Sequence, residues 1–129
     1  KMIDYVEKFK PQHMIIDAIS ACERMGGKQA AYEFLMRLMN YLKSEGITAV
    51  MTNQTTGAKS HIEISGNGIS SMVDTVIFLS YHYVESDIRR TISILKSRGS
   101  SHSKNINEYE ITNTGFKIFT HKSSKGKNR

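Results

Sequence analysis

Disulfides are excluded first: the chain has one cysteine, Cys22, and so cannot close an intramolecular bridge. That usage suits a reducing compartment, and a cytoplasmic protein is expected. Cys22 stands among Ala18, Ile19 and Ala21 with no His-Asn context for a thiol nucleophile, and it reads as a small packing residue. The five histidines, at positions 13, 61, 82, 102 and 121, are scattered, and no His/Cys pair has the spacing of a zinc site. There is no tryptophan and a single proline, Pro11. No apolar run reaches membrane-spanning length and no secretory pattern opens the chain. Aromatic residues are not interleaved with the basic clusters, which counts against a stacking platform for single-stranded nucleic acid.

What is present is an ordinary globular composition, 39% hydrophobic and 23% charged over 129 residues, with a net charge of +6. That length gives one domain and a core of useful size. The positive balance favours an acidic partner such as phosphate, nucleotide or nucleic acid, without choosing among them, and solubility alone would also account for it. The first residue is not Met, and a segment of something longer is expected.

Met2, Ile3, Val6 and Phe9 lie on one helical face, and Pro11 stops that helix. "HMIID", 13–17, reads as a short buried strand ending in an acid. Gly26-Gly27 marks a loop, and after it a stripe of Phe34, Leu35, Leu38, Met39 and Leu42 marks a longer helix ending at Gly46. "ITAVMTN", 47–53, is a second strand. Strand, helix, strand is the order of a parallel βαβ unit. Residues 54–68 turn polar and glycine-rich, as a mobile loop does. "VDTVIFLSYHYVES" and "RRTISILKSRG" are further strands, and Asn113-Thr114-Gly115 signals a hairpin. The front half is therefore parallel α/β and the back half antiparallel. The basic end, 121–129, has no apolar residue and is expected to be a disordered tail after a domain over 1–120.

Three places carry chemistry. Asp17 ends a parallel strand, the edge where ligands of open parallel sheets bind. It could hold magnesium beside a nucleotide or simply cap the helix that follows. Thr52 and Asn53 end the next strand, as phosphate sensors or as turn formers. Lys96 and Arg98 alternate on one strand face, followed by Gly99, Ser100, Ser101, His102 and Lys104. Cations and hydroxyl donors so grouped suit phosphate, while a solvated basic edge is the alternative.

Taken in order, "PQHMIIDAISACERM", "AAYEFLMRLMNYLKSEGITAVMTNQT" and "GISSMVDTVIFLSYHYVESDIRRTISILKSRGSSHSKNINEYEITNTGFKI" resemble the later half of a KaiC-like ATPase domain. The resemblance covers about residues 2–119. It implies a partial RecA-like P-loop NTPase core, parallel strands with a crossover helix, then antiparallel strands and a C-terminal hairpin. It implies that Asp17 is the Walker B acid, reaching magnesium through water. Lys96 and Arg98 correspond to a cationic pair that acts on the γ-phosphate of ATP held by a neighbouring subunit of a hexamer. Ser97, Ser100, Ser101, His102 and Lys104 would run along that nucleotide. Ser70 and Ser71 align with a phosphorylated Ser-Thr pair of the clock proteins, although Ser replaces Thr here.

No G-x-x-x-x-G-K-[ST] loop occurs in this sequence, and Gly26-Gly27-Lys28 is followed by Gln29. The expectation is a part of an ATPase that binds ATP weakly and turns nothing over alone. An RecA-type sheet without its phosphate-loop strand would expose an edge and an apolar face, so a dimer of this chain is also expected. The alternatives are a nucleic-acid-binding module and a regulatory assembly domain with protein partners.

Overall fold

The computed structural model describes residues 1–54 and 69–120. The mobile loop and the basic tail expected from the sequence fall, except for Gln54, outside the described residues. The chain divides into two units, Lys1–Val73 and Asp74–Arg129, each considered by itself. It is a mixed α/β protein with one parallel two-stranded sheet and one antiparallel four-stranded sheet.

The first unit opens with α1, Met2–Phe9. Only Val6 of its apolar face is buried, while Phe9 is exposed and stacks on Tyr5 at 6.3 Å. Lys10 ends the helix in the left-handed region, its N–H bonding to the Val6 carbonyl at 2.8 Å. Strand β1, His13–Ile16, then pairs in parallel with β2, Thr48–Met51. Between them runs α2, Ser20–Ser44, broken at Gly27, whose φ of 77° and ψ of 166° are not helical. The Gly-Gly pair thus interrupts the helix without opening a loop. Ala31, Leu35, Leu38 and Leu42, spaced four, three and four apart, form the buried stripe. Phe34 falls on its flank and is 38% exposed. Glu33 accepts a hydrogen bond from Gln29 at 2.8 Å, one turn earlier.

Val6, Leu38, Met39 and Leu42 form the centre of the core, with Met14 and Ile16 of β1 and Ala49 and Met51 of β2 packed against them. Each fully buried Leu contributes roughly 1.5–3 kcal/mol of transfer free energy. Register sets Ile15 beside Val50 on the other face of the pair, where both are exposed. A parallel pair is normally covered on both faces.

The second unit is a meander of β3 (Thr75–Val84), β4 (Asp87–Ser97), β5 (Asn107–Thr112) and β6 (Gly115–Phe119). Glu85 and Ser86 make the first turn, with Glu85 at φ 56°. Asn113 and Thr114 make the last, tied by the Thr112 hydroxyl, which donates to the Gly115 carbonyl at 2.9 Å. The β3–β4 ladder pairs Ile77 with Ile94 but Val76 with Lys96, so Leu95 is an extra residue, a β-bulge. Cross-strand partners share a face, and Val76 and Ile77 point to opposite faces. The bulge therefore turns Lys96 away from the face that carries Ile92 and Ile94. The short helix α3, Ile69–Met72, ends the first unit.

Candidate functional site

In the first unit the two parallel strands deliver Asp17 and Thr52 side by side. Ile16 and Met51 are Cα partners, so the residues after them emerge together at the carboxyl edge. The main chain fixes the junction: Thr52 N–H donates to the Ile16 carbonyl at 3.0 Å, and Ile19 N–H donates to the Thr52 carbonyl at 2.9 Å. The Thr52 hydroxyl donates to Asp17 Oδ1. Both residues are exposed, as is Asn53, which follows. A carboxylate can accept on both oxygens, so Thr52 takes up only part of the capacity of Asp17.

Hard oxygen donors of this kind suit magnesium, which is held by one or two carboxylates together with water and substrate phosphates. Among the described residues no group of three His, Cys, Asp or Glu could hold a metal ion. The donor set thus fits magnesium bound through water and completed by a ligand, not a closed protein cage.

In the second unit the end of β4 and the loop after it carry the remaining candidates. Lys96 is half-buried opposite Val76, and Ser97 lies opposite Thr75. Arg98 extends the pairing past the strand end, its N–H donating to the Asp74 carbonyl at 2.8 Å. Its guanidinium sits 3.4 Å from Asp74 Oδ1, with the two side chains 55% and 54% exposed. Gly99, at φ 79°, makes the turn. Across that turn the Ser97 and Ser100 hydroxyls meet at 2.6 Å. Ser101, His102 and Lys104 are exposed on the irregular stretch that leads to β5. Ser70, half-buried, and Ser71, exposed, lie in α3.

Asp74 was not among the sequence candidates. The signal for it was available: it directly precedes β3, and antiparallel pairing brings that position against the exit of β4. An open pocket of about 460 Å³ lies at the opposite, amino ends of β1 and β2. Val6, Tyr41 and Ile47 wall it, with Glu7, Glu45 and Lys10 at its margin. Burial, then the charges of Glu45 and Glu7, pushes the Tyr41 phenol above its ordinary pKa. Because ligands of parallel sheets bind at the carboxyl ends, this pocket is not the nucleotide candidate. No helix among the described residues is long and apolar enough to cross a membrane.

A family model described as ATPase: KaiC matches residues 1–123. The circadian clock protein KaiC3 of Synechocystis sp. is 33% identical over 117 residues, which are 91% of this chain and 23% of that protein. The circadian clock oscillator protein KaiC of Parathermosynechococcus lividus is 36% identical over 110 residues, 85% of this chain and 20% of the relative. KaiC of Nostoc sp. is likewise 36% identical over 110 residues, covering 85% of this chain and 21% of the relative. The chain therefore spans about a fifth of the length of the curated relatives it matches.

Proposed function

Because the chain belongs to the KaiC ATPase family, whose ATPase domain is RecA-like, we propose that it supplies the Walker B acid and a trans-acting cationic segment to an ATP-binding assembly. Asp17 is the acid. It orders magnesium-bound water, and the Thr52 hydroxyl holds its carboxylate in place at the sheet edge. Magnesium, when bound with ATP, neutralises charge on the phosphates. Asn53 lies beside that site for a phosphate oxygen or an attacking water.

Lys96 and Arg98 serve a nucleotide held by a neighbouring copy. An arginine fork can meet two phosphate oxygens, and lysine adds a point charge, so both stabilise charge on a transferring phosphoryl group. Ser97, Ser100, Ser101, His102 and Lys104 line the path of that segment. Ser70 and Ser71 are the candidate phosphate acceptors. Assembly into a hexamer, regulatory protein partners and any role in timing belong to this proposal also. The chain by itself hydrolyses nothing, since no loop in its sequence cradles the β- and γ-phosphates.

The observation that carries this reading is the Thr52 hydroxyl bonded to Asp17 at the carboxyl edge of a parallel pair. Calorimetric titration with ATP, with and without magnesium, tests it. The expected outcome is weak binding that requires magnesium and falls at least about tenfold in Asp17→Asn, the scale of one lost charge-assisted contact. Equal affinity with and without the metal, or in the variant, would sink the assignment of Asp17.

A further inference from the structure

The pocket at the amino ends of β1 and β2 is built largely from the chain that leaves two helices. Lys10, Pro11 and Gln12 follow α1, and Glu45, Gly46 and Ile47 follow α2. Both helices therefore end on it with their carboxyl termini, the negative ends of their dipoles, where a cation is favoured. Glu7, in the last turn of α1, and Glu45, which caps α2, add two full negative charges. Acids at these positions work against the dipoles of their own helices. Neither glutamate forms an ion pair with the described residues. The lysines in the last turns of the two helices are engaged elsewhere. Lys8 Nζ lies 5.5 Å from the centre of the Phe9 ring, and Lys43 Nζ donates to the Met72 carbonyl at 3.0 Å. Lys10 is left as the one cation among the described lining residues. Burial, then the charges of Glu45 and Glu7, holds the proton on the Tyr41 phenol, so this group meets the pocket neutral, able to accept a hydrogen bond as well as donate one.

We propose that this pocket binds an alkylammonium group, its nitrogen held by Glu7, Glu45 and the Tyr41 hydroxyl and its methylenes lying along Val6, Pro11 and Ile47. The volume, about 460 Å³, falls in the range of about 300–1,000 Å³ usual for small-ligand sites. An ammonium carries three N–H donors, and the pocket offers three acceptors on separate side chains. A guanidinium carries five donors in a rigid planar fork, which suits two parallel bonds to a single carboxylate instead. The Tyr41 ring adds attraction for a cation. A metal ion fits poorly: among the described residues no group of three His, Cys, Asp or Glu could hold one, and the apolar wall would strip its water with nothing in exchange. A free aliphatic amine and a lysine side chain of another protein both present this group. The pocket lies at the end of the strands opposite Asp17, so the proposal stands or falls separately from the nucleotide reading.

The test follows the amide resonances of Gly46 and Ile47 by NMR while the 129-residue chain is titrated with n-butylammonium chloride. Sodium chloride at matched ionic strength and n-butanol are the comparisons. The expected result is a saturable shift with butylammonium alone. Glu7→Gln and Glu45→Gln should each weaken binding about two- to fivefold, the scale of one exposed charge pair. Lys10→Gln should tighten it by a similar factor, and Glu33→Gln, exposed higher on α2, should leave it alone. N-acetyl-lysine amide binding tighter than butylammonium assigns the group to a protein lysine, and the reverse order assigns it to a free amine. No saturable shift, an equal response to butanol or sodium, or an affinity indifferent to both glutamate changes overturns the proposal. The butanol and sodium comparisons use the unaltered chain, so they decide the matter even if a variant does not fold.

Discussion

Replacing Arg98 by alanine removes a guanidinium that lies 3.4 Å from Asp74 Oδ1, with both side chains a little over half exposed. Two unit charges at that distance attract by about 1 kcal/mol in water, and measured exposed pairs contribute about 0–1 kcal/mol. The main-chain bond from Arg98 N–H to the Asp74 carbonyl does not depend on the side chain. Arg98→Ala should therefore lower unfolding free energy by less than about 1 kcal/mol. A cationic finger on a transferring phosphoryl group is worth about 10³–10⁵ in turnover, or roughly 4–7 kcal/mol of barrier. The assay is a chimera in which residues 1–123 replace the matched segment of a full-length KaiC relative, with urea unfolding and ATP hydrolysis followed on the same preparation. Arg98→Ala should abolish most hydrolysis at nearly unchanged stability, and Asp74→Asn should change both little. Unchanged hydrolysis refutes the finger. A stability loss above about 2 kcal/mol refutes the premise that the ion pair is a weak surface contact.

Leu42 is fully buried at the centre of the first unit's core, so Leu42→Ala should cost about 2–5 kcal/mol in urea unfolding monitored by circular dichroism. Gly27 occupies a conformation at φ 77° that side-chain-bearing residues rarely adopt, in open space. Gly27→Ala should lower stability by about 1–3 kcal/mol through backbone strain alone, read from the thermal midpoint. The raised Tyr41 pKa means the folded state holds the phenolic proton more tightly than the unfolded chain. Its contribution is complete below the ordinary phenol value, near pH 10, and is lost as pH rises through the folded-state value. Tyr41→Phe should therefore make unfolding less sensitive to pH above about 10, checked by melts across the alkaline range.

The sequence showed those parts of the fold that depend on neighbours along the chain. Spacings of three and four placed α1 and the part of α2 after Gly27, though the loop expected at Gly26-Gly27 is only a kink within that helix; short apolar runs placed β1 and β2, and Asn113-Thr114-Gly115 placed the last hairpin. Boundaries moved by a residue or two: the second strand spans Thr48–Met51 and leaves Thr52 and Asn53 beyond its end. The parts that depend on a partner strand were hidden. A bulge at Leu95 exists only relative to β3, and the turn at Glu85 lacks the glycine that usually announces a positive φ. The same division holds for the site. Asp17 and Thr52 could each be nominated from strand ends, but their hydrogen bond joins residues 35 apart and needs the register of two strands. Ser100 was read as a donor for phosphate, and the structure engages it with Ser97.

The crossover that joins β1 to β2 also bears on the order of folding. A hairpin closes through a turn of two residues, whereas β1 meets β2 only after the whole of α2 has formed and doubled back. Closure entropy rises with the length of chain enclosed, and contacts distant in sequence are made slowly. The meander of the second unit is made of local pairs and should form early, although it is synthesised after the first unit. The Asp17–Thr52 contact should then be among the late events of folding, so hydrogen-exchange pulses should protect the β3–β4 amides before those of Ile19 and Thr52.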